Sequence, residues 1–258
     1  MQDQVHSTVR SQVTDEQWQA RVDLAAAHRM CVMNGLHEGI FNHLTFTVPG
    51  TDDRYYQIPF GTHWSEVCAS TFMEVNFKGE LVRGEGEIEQ SCFAIHAPIH
   101  RKLPRAKAVF HTHMPFASAL TRLKDPKLKP IGQTEAIMMG KTGYDMDYTG
   151  PAFDPEEGER LADVIGDHKV LFMGNHGVAT VTDSISEAFD LMYYTERAAQ
   201  VQLYAMWTGQ ELLPMPDPIT EKTMNVGGGQ SFKHGKPCDY HFRALKRVLD
   251  RREPDYKD

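Results

Sequence analysis

The sequence predicts an α/β fold: a single three-layer domain with a central, mainly antiparallel or mixed sheet flanked by helices. Three observations lead there. Short alternating or apolar runs cluster in the middle of the chain, and segments with helical spacing flank them. Neither an internal repeat nor a linker divides the 258 residues. With 41% hydrophobic and 24% charged residues the composition is that of an ordinary globular protein, not of a disordered chain.

Residues 1–13 read as a loose arm, 14–210 as the domain, and 211–258 as a C-terminal tail and helix suited to a subunit interface. The first helix starts with a capping box, Thr14 with Gln17, and its apolar positions run from Trp18 through Val22, Ala25, Ala26 and Met30 to Met33. Gly35 is placed to end it. Leu44–Val48 alternates as a strand, with Tyr55–Pro59 as its hairpin partner. Phe72–Phe77 is a further strand before the turn Lys78-Gly79-Glu80 and Leu81-Val82. Residues 91–102 have helical spacing, with Pro98 expected to kink or shorten that helix.

Ala106–Thr112 is a strand running straight into His113, and Pro115–Leu123 is helical. Residues 124–154 read as short strands among Pro and Gly turns, and Pro155–Ile165 as a helix. Lys169–Met173 and Val178–Thr182 are apolar strands joined by Gly174-Asn175-His176-Gly177. A long helix then opens on a second capping box, Ser184 with Glu187, and runs to about Trp207. The tail carries Pro214, Pro216 and Pro218, the run Gly227-Gly228-Gly229, and a short last helix near Phe242–Leu249, with Lys246–Arg247 and Arg251–Arg252 on a solvated face.

A net charge of −8 argues against a duplex-DNA binder. The four cysteines, Cys31, Cys68, Cys92 and Cys238, form no Cys-x-x-Cys pair, which argues against a disulfide scaffold or a cysteine-rich zinc site. The polar start and the lack of any run near the ~20 apolar residues of a membrane span point to a cytoplasmic protein. Histidine, at thirteen residues, is the unusual entry. In Ala108–His113 two histidines stand two apart at a strand end, so the period of two turns both imidazoles to one face. His176 lies in a glycine-flanked turn between two strands. Three imidazoles with an open position suit zinc first, and also manganese or iron(II).

Several motifs occur in an order that resembles the class II aldolase/adducin family, in particular its bacterial members and the L-fuculose-phosphate aldolase fold. They are Gly35-x-x-x-Gly39 with Asn42-His43-x-Thr45, Phe77-x-Gly79-Glu80-x-x-x-Gly84, His96-x-x-x-His100, Val109–His113, Leu171-x-x-Gly174-Asn175-His176-Gly177, Glu187-Ala188 and Glu196-Arg197-Ala198. The resemblance implies one divalent cation per subunit on His111, His113 and His176. That ion would act as a Lewis acid for an enolate left when a carbon–carbon bond breaks. It also implies a substrate loop containing Asn42, His43 and Thr45, with His96 beside it, and a homotetramer with sites between subunits.

Two departures from the family pattern bear on activity. Family aldolases carry a catalytic Glu four residues before the histidine matching His96, and this chain has Cys92 there. Glu89 or Glu87 is a nearby replacement, and Glu135 and Tyr144 are candidates to reach a neighbouring site. Thr47 stands where relatives often place a basic residue. A thiol is a poor proton shuttle, which weakens the case for sugar-phosphate aldolase chemistry and leaves decarboxylation open. The expected activity is a metal-dependent carbon–carbon lyase on a small hydroxy or oxo acid, decarboxylase or retro-aldolase. The alternatives are a non-haem iron oxygenase and a non-catalytic adducin-like scaffold. Neither nucleic acid nor membrane is expected as a partner.

Overall fold

Helix α1 (Asp15–Met33) starts where the capping box places it. Thr14 accepts from the Gln17 amide, and the Gln17 side chain accepts from the Thr14 amide. It stops in a Schellman motif: Gly35 has φ +67°, its amide reaches the Val32 carbonyl, and the Leu36 amide reaches that of Cys31. Our computed structural model describes residues 9–150, 153–225 and 232–258. Residues 1–8 of the expected arm and the Gly227–Gly229 run lie outside them, while residues 9–11 are helical.

Eight strands form one sheet. In chain order they are β1 (His43–Thr47), β2 (Arg54–Gln57), β3 (Met73–Asn76), β4 (Leu81–Arg83), β5 (Ala108–Thr112), β6 (Thr142–Asp145), β7 (Val170–Met173) and β8 (Val178–Thr182). Their spatial order is β4-β3-β2-β1-β5-β8-β7-β6, and every pairing is antiparallel except β6 with β7. The helices after α1 are α2 (Gln90–Lys102), α3 (Pro115–Leu120), α4 (Gln133–Met139), α5 (Pro155–Ile165), α6 (Ile185–Trp207), α7 (Asp217–Met224) and α8 (Pro237–Arg252).

The strand period of two sorts the core into two layers. Leu44, Ala108, Phe110 and Val178 pack with Leu24 and Met30 of α1 and with Phe189 and Met192 of α6. Val109, Ala179 and Val181 face the other way, onto Ile95 and Ile99 of α2 and Leu161 and Ile165 of α5. The result is the expected three-layer arrangement.

Polar side chains tie α1 to the rest. The fully buried Arg21 donates to the Phe72 carbonyl, pairs with Glu74 at 3.3 Å and lies 4.5 Å over the Tyr56 ring. Arg29 donates to the Val67 carbonyl and pairs with Glu253 and Asp255. The end of the chain is thereby drawn onto α1, where Tyr256 is fully buried.

Several elements differ from expectation. Pro98 does not shorten α2, which runs on to Lys102. Its ring leaves the Ala94 carbonyl without the usual amide partner, and Gly158 of α5 packs there. A Cβ on Gly158 would stand 2.3 Å from the Ala94 oxygen and 2.8 Å from Pro98 Cγ. The stretch 124–154 contains helix α4, and the proline-rich tail contains α7, whose Asp217-Pro218 start suits a first turn. The second capping box is half formed: Ser184 accepts from the Glu187 amide, but the Glu187 carboxylate is drawn off to Lys169. The last helix is twice the expected length, and Lys246 leaves the solvated face to pair with Asp23.

Two predictions follow from the packing. Gly158→Ala forces α5 away from α2, and we expect a loss of ~1–3 kcal/mol in urea unfolding; an unchanged midpoint would show that the crossing has slack. His28, fully buried against Trp64 and Phe72, has its pKa lowered to about 4. Burial is the main cause, partly offset by a hydrogen bond to the Leu24 carbonyl. Its neutral form is therefore favoured in the fold. Stability is retained above the unfolded value of 6.5 and lost as pH falls from there toward 4, by up to ~3 kcal/mol. Urea midpoints at pH 7 and pH 4.5 measure this, and His28→Phe should flatten the difference.

Candidate metal centre

Three of the thirteen histidines meet at one end of the sheet. His111 is the fourth residue of β5, and His113 lies one residue past its end. Their parity brings both to the α2 face. The turn between β7 and β8 delivers His176. Asn175 there has φ +54°, its amide donates to the Thr121 carbonyl, and the Met173 amide donates to the Gly177 carbonyl. Arg122 donates to the carbonyl of His176. The three rings lie 4.8–4.9 Å apart between centroids, and one nitrogen from each lies within 4.8 Å of the others.

Hydrogen bonds set which nitrogen faces the centre. His111 Nδ1 lies 3.1 Å from the Val178 carbonyl and donates to it, leaving Nε2 with the lone pair. His113 Nδ1 lies 2.5 Å from the Glu38 carboxylate, and its Nε2 is buried without a partner. A carboxylate behind an imidazole holds ring and tautomer as metal-ligating histidines require. Burial, with the neighbouring His176 and His113, keeps the pKa of His111 well below the usual range. Burial, then His113 and Arg122, brings His176 down to about 4. Both are neutral donors at physiological pH. Gly177 makes the approach possible, since a Cβ there would lie 2.6 Å from both His113 Cδ2 and the Thr112 carbonyl. Three convergent imidazoles, an unpartnered buried nitrogen and a backbone cut away for the rings together fit one divalent cation.

Two residues of the expected substrate loop, Asn42 and His43, stand beside this centre. Asn42 has φ +79°, its Oδ1 accepts from the His113 amide at 3.1 Å, and its buried Nδ2 donates to nothing. His43 sits opposite His111 in the β1–β5 register, and its ring lies 6.2 Å from that of His111. Cys92, His96 and His100 recur every four residues along the face of α2 that packs on the sheet.

Thr45 is bound between two of these histidines, 2.7 Å from His96 Nδ1 and 2.8 Å from His100 Nε2. His100 Nδ1 donates to the Ala106 carbonyl, and burial lowers its pKa to about 4, so its Nε2 must accept. The single Thr45 hydroxyl proton goes to His100 at 2.8 Å in preference to the Val109 carbonyl at 3.2 Å, and His96 Nδ1–H donates to the Thr45 oxygen. His96 Nε2 is left as a bare, buried lone pair.

Among the proposed acid–base residues, Glu89 is the N-cap of α2 and is committed there. Its carboxylate accepts from the Cys92 amide, from Ser91 and, at 2.8 Å, from His43 Nε2. Burial pulls its pKa up, but the His43, Cys92 and Ser91 hydrogen bonds outweigh that and bring it to about 2. Glu87 is exposed. The Cys92 thiol is fully buried, and burial, then Glu89, holds its pKa well above the normal value.

Glu135 is buried in α4, and Tyr144 accepts from the Leu128 amide and stacks on Phe172. Neither touches the three histidines among the described residues. The tyrosine that does approach is Tyr148, 6.1 Å from the His176 ring. Sequence reading missed Glu38 and Tyr148. Glu38 showed itself only as the acid of the Gly35–Gly39 loop, and no spacing rule links a loop carboxylate to a histidine 75 residues on. A cavity of about 620 Å³, lined by Asp23, Phe46, Lys107 and Arg243, includes none of these residues. Convergent ring nitrogens mark the site better than volume does.

The fold and centre define an α/β protein with a three-histidine pocket suited to a divalent cation. Residues 22–203 match the profile of the Class II Aldolase and Adducin N-terminal domain, and the chain belongs to that family. Family enzymes are typically metal-dependent carbon–carbon lyases. A candidate class 2 aldolase protein of Pseudomonas aeruginosa is 33% identical over 98% of both chains. Rat α-adducin is 32% identical over 89% of this chain and 33% of its own length. A crystal structure of an aldolase II superfamily protein from Pseudomonas syringae superposes with a TM-score of 0.89, at 32% identity over 97% of this chain and 99% of that one. The fold is also that of the L-fuculose 1-phosphate aldolase of Glaciozyma antarctica, with a TM-score of 0.80, 22% identity and coverage of 94% and 93%. No helix among the described residues is long and apolar enough to cross a membrane.

Removing the carboxylate behind His113 tests the outer support of the centre. We expect Glu38→Gln to weaken zinc affinity ~10–100-fold in chelator competition. Unchanged affinity would remove Glu38 from the site.

Proposed function

We propose that this protein is a metal-dependent carbon–carbon lyase acting on a small hydroxy or oxo acid, with decarboxylation favoured over aldol cleavage. The observation that carries the reading is the three-imidazole cluster with its outer partners already in place. His111, His113 and His176 would hold one divalent cation, zinc before manganese or iron. When bound, that ion supplies a Lewis acid for negative charge developing on a carbonyl or hydroxyl oxygen.

The chain's own residues supply the rest. Asn42 spends its Oδ1 on the His113 amide and keeps two amide protons free, so it can donate to a substrate oxygen beside the ring. Tyr148 carries a half-exposed phenol near His176, where it can return a proton to the product. Neither Cys92 nor Glu89 is free to move protons repeatedly. Cys92 is buried and held as a thiol, and Glu89 is fully engaged as a helix cap. Decarboxylation needs no base to deprotonate a hydroxyl before the bond breaks, whereas retro-aldol cleavage does. The same shortage leaves Glu135 and Tyr144 as groups that would have to act from a neighbouring subunit of a homotetramer.

The similarity to α-adducin favours a second reading, a non-catalytic scaffold. The two separate in metal analysis. We expect His111→Ala to lower the content of the purified protein by one ion per chain, and chelation to abolish carbon dioxide release from small oxo acids. A His111→Ala protein with the wild-type metal content would defeat the lyase proposal. Dioxygen uptake with an iron-loaded protein, in place of carbon dioxide release without oxygen, would replace it by the oxygenase alternative.

A further inference from the structure

A second group of donors lies against the first and is not used by it. His43 comes from β1, and Cys92 and His96 come from one turn of α2. One donor atom from each lies within 4.8 Å of the other two. The His43 and His96 rings meet edge to face at 5.5 Å. Both histidines present an unpartnered buried nitrogen. The Thr45 relay turns the lone pair of His96 Nε2 away from its only hydrogen-bond partner, and the bond from Nε2–H to Glu89 leaves His43 with Nδ1. The Cys92 thiol has one proton to offer, and the two buried ring nitrogens beside it have no hydrogen-bond partner among the described residues. A cation satisfies all three donors at once.

We propose that His43, Cys92 and His96 form a second cation site, selective for a thiophilic divalent ion of the zinc class. Two imidazoles and a thiolate are a borderline-soft set that disfavours magnesium and calcium, and three protein ligands leave a fourth position open. Binding releases the thiol proton to solvent as the sulfur–metal bond forms. The outer partners are already built: the Glu89 carboxylate behind His43 and the Thr45 hydroxyl behind His96. His43 stands between this site and His111, so the two ions would share a wall. The site does not depend on the lyase reading, because none of its ligands belongs to the three-histidine centre.

Titration of the metal-stripped full-length protein with cobalt(II) under anaerobic conditions tests it, because only a thiolate ligand produces sulfur-to-cobalt charge-transfer absorption in the near ultraviolet. We expect two ions per chain and a charge-transfer band whose final intensity corresponds to one thiolate-bound ion. His111→Ala should lose one equivalent and keep the band, which separates failure of this site from failure of the first. Cys92→Ser should lose the band, and His96→Gln should weaken the band-forming event at least tenfold. A wild-type protein without the band at saturation would overturn the proposal. So would a band that survives Cys92→Ser, which would assign the sulfur to Cys31, Cys68 or Cys238.

Discussion

The register of β1 against β5 is the constraint on which the rest of this structure depends. Pairing Leu44 with Phe110 sends both to the α1 and α6 side, while Thr45 with Val109 and His43 with His111 face α2. A slip of β1 by one residue would turn its side chains over, sending His43 and Thr45 into the apolar core and taking His43 away from His111. The burial of the sheet on both faces thus holds His43 beside the three-histidine cluster.

Where β1 meets α2, a set of buried polar side chains hydrogen-bonds beside the apolar layer. Thr45 is its pivot, with one proton and one acceptor position serving two histidines and, through His100, the Ala106 carbonyl. In such a set each donor assignment forces the next, so the lone pairs that remain are few and directed. They emerge at His96, His43 and His113, the places where a cation would satisfy them. The replacement of an expected glutamate by Cys92 alters this balance: it removes a charge from a buried helix face and leaves a softer donor. Glu89, three residues earlier, caps the helix start with its own carboxylate.

Much of the fold was legible in the chain because its signals are local. The box at Thr14, the glycine at 35, the alternation in β1 and β5 and the Asn175-His176-Gly177 turn each state a conformation within a few residues. Helices α4 and α7 were hidden because short helices among prolines and glycines have weak periodicity and owe their formation to packing, α4 against α6 and α7 against α4. Pro98 misled for a related reason. Its missing hydrogen bond costs less than expected, since Gly158 on the neighbouring helix fills the space beside the freed carbonyl.

For the site the division is cleaner. The sequence alone determined that His111 and His113 share a face, because a strand has a period of two, and the ordered motifs added His176. Only the tertiary structure decided that Glu38 stands behind His113, that Tyr148 and not Tyr144 approaches His176, and that Cys92 joins His43 and His96. Those relations join residues tens of positions apart, through hydrogen bonds whose partners no local pattern encodes. They exist only once strand register and helix docking have closed the distance.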